Sequence, residues 1–136
     1  IGFYILHKNR IYLIMQKIFL IIASLLGALT VAVGAFGAHG LKEILEQNNR
    51  FANFETAVKY QFYHVFALFI AAILMDKYSE KMMTYAGYSF MGGILFFSGS
   101  LYILSLTNVT KWGAVTPIGG LLFIIGWGFI VAGITK

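Results

Sequence analysis

From Ile18 to Ala38 the chain carries 21 residues in succession without a charge. An α-helix needs about 20 apolar residues to cross the ~30 Å hydrocarbon core of a bilayer. Lipid offers the backbone no hydrogen-bond partners, so a run of this kind is stable as a helix whose amides and carbonyls satisfy one another. Composition points the same way. Hydrophobic residues make up 60% of the 136 and charged ones 11%, too few to coat the surface of a water-soluble domain of this size.

Three further apolar stretches follow, and the expected spans are residues 18–38, 54–75, 83–106 and 115–135 of one domain covering residues 15–136. The fold class expected is all-α, an integral membrane four-helix bundle with a short amphipathic helix between spans one and two. Residues 1–14 precede Met15-Gln-Lys17, which looks like a natural start, and are read as an upstream extension. A cleaved signal ending near Ala35-Phe-Gly37 is the rival reading of span one. Its apolar region exceeds the usual ~7–15 residues of such signals, so an uncleaved span is preferred.

Span one places Ser24, Ala28, Ala32, Ala35 and His39 at steps of four, four, three and four, a single stripe along a helix. Small residues let membrane helices approach closely, so this stripe is expected to face the bundle and to carry His39 inward with it. Leu41, Ile44 and Leu45 suit a short interfacial helix, and Gln47-Asn48-Asn49 a break after it. Glu55 and Lys59 are spaced to pair at i,i+4. Ala57, Gln61, His64, Leu68, Ala71 and Ala72 share a face of span two, with Gln61 and His64 expected near one end of it.

In span three, Ser89, Gly93, Phe96 and Ser100 share a stripe. Span four opens at Thr116-Pro117, a hydroxyl residue at the cap and proline in the first turn. Gly119, Gly126 and Gly133 recur every seven residues and give it a smooth flank, for packing within the chain or for dimerisation. Trp112 suits an interfacial anchor.

Charge and cysteine usage exclude several functions. The net charge of +5 sits in termini and connections, which reads as membrane orientation and not as nucleic-acid binding. Lys8, Arg10, Lys17, Lys77, Lys81 and Lys136 on one side outnumber Lys42, Arg50, Lys59 and Lys111 on the other, so both termini are expected in the cytoplasm. Counted from Met15, the two sides are equal. With no cysteine there is neither a disulfide nor a thiolate metal site.

Four ordered motifs carry a resemblance: Gly34-Ala-Phe-Gly-Ala-His-Gly-Leu41, Phe54-Glu-Thr-Ala57 with Tyr60-Gln61 and His64, Phe97-Ser-Gly-Ser-Leu-Tyr102, and Thr116-Pro-Ile-Gly-Gly120. Over residues 15–136 the chain resembles the YwdK/YgdD-type family of small bacterial membrane proteins, a domain-of-unknown-function family. The resemblance implies four spans in the bacterial plasma membrane and supplies no catalytic residue and no cofactor.

The chemistry the residues could support centres on a polar cluster of His39, Gln61, His64 and Thr116 beneath one membrane face. Polar groups in apolar surroundings are costly and are functional candidates for that reason. The alternative is that they bond across helices and fix the fold, which is ordinary in membrane bundles. The structural role is preferred. A transport pathway comes second, lacking the central Asp, Glu, Lys or Arg that pumps use. Haem or metal between His39 and His64, and an enzymatic centre, come last, since two imidazoles make a thin metal shell and no nucleophile–base pair is legible. Helix packing is assigned to Ala28, Ala32, Ala35, Gly93, Gly119, Gly126 and Gly133. The expected function is that of a non-enzymatic accessory or structural membrane component, without cofactor. Its expected partners are the lipid bilayer and a membrane protein partner or homo-oligomer. A small transporter or channel is the alternative.

Overall fold

A computed structural model describes the backbone of residues 2–136 and the side chains of residues 10–136. The side chains at the start of the 1–14 extension lie outside the described residues. Helix α1 spans Gly2–Ala38, α2 Lys42–Gln47, α3 Phe51–Leu74 and α4 Glu80–Gly93. A π turn at Ile94–Ser98 leads into α5, Gly99–Thr107. A 3-10 turn at Thr110–Ala114 then precedes α6, Thr116–Ile134. Four helical segments are long and apolar enough to cross a membrane: residues 10–38, 51–74, 80–107 and 110–134. The chain is a four-span membrane bundle with a short helix between spans one and two.

The helices pack mainly as successive neighbours. α1 lies on α3, α3 on both halves of span three, and α6 on α4 and the π turn. The core is built from Phe19 and Ala23 of α1, Val65, Leu68, Ala71 and Ala72 of α3, Met83, Ala86 and Phe90 of α4, and Phe123 and Ile130 of α6. Helix α1 is the peripheral member. Of its most apolar stretch 17% of residues are buried, against 44% in spans two and three.

The stripe expected to hold span one inward faces the other way. Ser24, Ala28, Ala32, Ala35 and His39 are all exposed. The packed face is the neighbouring one, where Phe19, Ala23, Thr30 and Gly37 are buried. Its glycines explain the choice. A Cβ on Gly27 would meet Val65, one on Gly34 would meet Val58, and one on Gly37 would run into the Phe54 ring. Two small-residue faces lie side by side on α1, and the one with glycines and a hydroxyl admits the closer neighbour.

Tyr12, before Met15, and Gln16, just after it, tie α1 to the end of span two. The Tyr12 hydroxyl donates to Asp76 Oδ1 at 2.7 Å, and Gln16 Nε2 donates to the Ala72 carbonyl at 3.0 Å. The hydrogen bond from Tyr12 holds the Asp76 carboxyl below its ordinary value of 3.8, with Gln16 contributing less.

At the opposite end, Leu45 of α2 is fully buried. Asn48 Nδ2 donates to the Ser105 and Leu106 carbonyls at 3.0 and 3.2 Å, satisfying carbonyls at the end of α5 that have no partner within the helix. Asn49 and Asn108 have φ of 54° and 55°, the left-handed conformation that asparagine tolerates best after glycine. Arg50 Nε donates to Asn108 Oδ1 at 2.9 Å and ties the two turns together. Glu55 and Lys59 do not pair. Among the described residues the ion pair is Lys42–Glu46, at 3.8 Å.

Span three departs from an ideal helix at the π turn. The extra residue rotates the register, so Gly93 and Ser100 stay buried while Phe96 turns outward. α6 fits against the turn. A Cβ on Gly119 would strike the Phe97 backbone, and one on Gly93 would strike the Phe123 ring. Further along α6, Gly126 lies 2.6 Å from Phe90 and Gly133 2.6 Å from Met83 by the same measure. The heptad glycines of span four therefore lie within the monomer, against span three. Thr116 is the first residue of α6 and not its cap. Val115 holds that position, and no side chain caps the helix.

Candidate functional site

Two polar constellations lie inside the bundle, both built on the buried face of α3. The first is a directed chain of hydrogen bonds. Thr30 Oγ1 donates to the Leu26 carbonyl at 2.6 Å and accepts from Gln61 Nε2 at 2.7 Å. Gln61 Oε1 in turn accepts from the Tyr102 hydroxyl at 2.9 Å. The chain links α5, α3 and α1. It supplies the polar tie between peripheral span one and the rest of the bundle at this level.

The second constellation surrounds His64. Its Nδ1 lies 2.8 Å from the Tyr60 carbonyl, which can only accept, so Nδ1 carries the hydrogen. Nε2 is then an acceptor, and Trp127 Nε1 donates to it at 3.4 Å. The imidazole stacks on Phe123 with centroids 3.4 Å apart and planes 6° from parallel. Tyr60 and Phe90 close the pocket at 6.2 and 5.8 Å. Both ring nitrogens are engaged, so holding a ligand would cost one of these bonds. A second proton at Nε2 would face the Trp127 N–H.

The depth of these groups differs from expectation. α3 begins at Phe51, so Gln61 and His64 lie roughly 15 and 20 Å along a helix of about 36 Å, at its middle and not near one end. The four candidate residues do not form one cluster. Gln61 belongs to the Thr30–Tyr102 chain and His64 to the aromatic pocket. Thr116 pairs with Ser100 Oγ at 2.7 Å near the π turn. His39 lies in the turn just after α1, exposed, and lines an open groove with Ala32, Ala35, Phe36 and Gly40.

Other groups escaped the sequence reading. Thr30 is the one polar side chain between Ser24 and His39, a signal that could have marked it as a hydrogen-bonding position. Phe123 and Trp127 had no such signal, since apolar and aromatic residues recur throughout span four. Ser98, fully buried, donates to the Ala57 carbonyl at 2.8 Å and joins the π turn to α3. Among the described residues, no buried side-chain nitrogen or oxygen lacks a hydrogen-bond partner.

Comparison with known proteins places this architecture among others. Residues 33–120 match the model of the family described as "Protein of unknown function (DUF423)". The chain is similar to the UPF0382 membrane protein YwdK of Bacillus subtilis, 44% identical over 122 residues that cover 89% of this chain and 98% of the relative. It is also similar to a UPF0382 membrane protein of Staphylococcus haemolyticus, 46% identical over 82% of this chain and 90% of the relative. A third relative, from Haemophilus influenzae, is 42% identical over 83% and 90%. No solved structure matches.

Proposed function

This chain belongs to the DUF423 family, and from that premise we propose that it is a non-enzymatic accessory component of the bacterial plasma membrane, with both termini cytoplasmic, docking on a membrane partner through the outer face of span one. The observation that carries this reading is the exposed stripe of Ser24, Ala28, Ala32, Ala35 and His39. Lipid tails are as apolar as leucine, so large side chains on this face would suit the bilayer equally well. Small ones matter where a second helix must come close. The histidine at the end of the stripe offers that helix a polar contact.

A transporter or channel draws less support from the same geometry. His39 is separated from the interior groups, and the polar atoms of Gln61 and His64 are occupied by neighbours within the chain.

The test is a photocrosslinking amino acid placed at Ala32, with one at Ile124, 69% exposed on α6, as the lipid-facing comparison. Irradiation of native membranes is expected to give one discrete protein adduct from Ala32 and none from Ile124. The same diffuse labelling from both positions would overturn the accessory reading. An adduct of twice the chain's mass would replace it with self-association.

A further inference from the structure

Lys59 is an exposed cation on a membrane-spanning helix and, among the described residues, makes neither an ion pair nor a hydrogen bond. It lies roughly 12 Å along α3 from Phe51, deep enough for its stem to be among acyl chains. Helical side chains lean toward the N-terminus, so its ammonium rises toward the headgroup layer, on the side of Glu55. An ionisable group at this depth calls for a partner, and the described residues do not provide one.

The surface beside Lys59 is a groove. Two cavities, of about 130 and 280 Å³, adjoin at Gly34, Val58 and Lys59 between α1 and α3. Together they run from Val31 and Phe62, deeper in the membrane, to Phe51 and Glu55 at its edge. The walls are apolar, and the Thr30 hydroxyl at the deep end is already committed to Gln61 and Leu26. Water needs two to four polar partners and finds few here. The fitting occupant is a hydrocarbon chain.

The mouth offers one positive and one negative group, Lys59 and Glu55, which do not pair with each other within 4.0 Å. A net-negative headgroup could set its phosphate on Lys59 but would leave the Glu55 carboxylate beside it without a cation. A headgroup with a phosphate and a primary ammonium satisfies both side chains. We infer that the α1–α3 groove binds one ethanolamine-type glycerophospholipid, its phosphate on Lys59, its ammonium on Glu55 and one acyl chain along Gly34, Val31 and Phe62. The groove lies beside the partner face of span one and shares Ala35 with it, and its lipid needs no partner to be bound.

The full chain would be reconstituted in nanodiscs of equimolar dioleoyl phosphatidylethanolamine and dioleoyl phosphatidylglycerol, and the lipid retained on release measured by native mass spectrometry. The expected result is one retained lipid, with ethanolamine favoured several-fold over glycerol. Lys59→Ala should reduce retention to background, and Glu55→Gln should remove or invert the preference. Val31→Trp fills the groove from a position 65% exposed and should block retention while leaving thermal stability unchanged. Equal retention of both lipids by the parent chain and by Lys59→Ala would mean annular lipid alone and would overturn the site. A preference of the parent chain for the glycerol headgroup would do the same.

Discussion

Gly119→Val is expected to prevent recovery of a folded bundle, at a cost of about 3 kcal/mol or more, the upper end of overpacking penalties. The side chain would enter the Phe97 backbone at the π turn, where neither the α6 backbone nor the turn can give way by rotating a bond. Gly126→Val should be damaging to a lesser degree, because the obstacle there is the Phe90 ring. Gly128 has no atom within 4 Å of an added Cβ, so Gly128→Ala should be neutral or gain up to about 1 kcal/mol from helix propensity. Thermal unfolding in detergent, read by size-exclusion fluorescence, separates the three. A Gly119→Val chain that melts with the parent would contradict the packing of span four on span three.

The second large effect concerns the two histidines, which should behave as opposites. His64→Ala removes a ring stacked on Phe123, opens a space among Tyr60, Phe90 and Trp127, and should cost about 2–4 kcal/mol. His64→Phe restores the ring and forfeits the long Trp127 bond and the helical back-bond. It should keep most of the stability, within about 1.5 kcal/mol of the parent. His39→Ala, in the exposed turn after α1, should move stability by less than about 0.5 kcal/mol. Unfolding midpoints of the three variants in one detergent check the set. Equal losses from His39→Ala and His64→Ala would contradict the placement of His39 outside the core. A His64→Phe chain as unstable as His64→Ala would show that the hydrogen bonds at the ring nitrogens, and not the ring, hold the pocket together.

The four spans were legible because lipid imposes a length and a composition that uncharged runs display directly. The buried face of α3 was legible for a related reason. Ala57, Gln61, His64, Leu68, Ala71 and Ala72 alternate with bulky residues at helical spacing, and that contrast identifies the side that packs. Span one lacked the contrast. Its alanine stripe and its glycine stripe are adjacent and both small, and which one packs depends on Phe54, Val58 and Val65 arriving from another helix. The π turn was hidden because no glycine, proline or charge marks an extra residue in Ile94–Ser98. It displaced Phe96 from a face that an ideal helix would have buried. Thr116 illustrates a different limit. Its position before proline suggests a cap, yet its hydroxyl finds Ser100 on another span, a contact set by tertiary structure.

The arrangement of span one underlies both the partner face and the lipid groove, and spin labels test it most directly. Single cysteines at Ala23 and Ala32, labelled and placed one chain per nanodisc, report how readily membrane-dissolved oxygen reaches each side of α1. The expected result is high accessibility at Ala32 and low accessibility at Ala23, which is fully buried. The reverse order would turn the alanine stripe inward and remove the face on which a partner is placed.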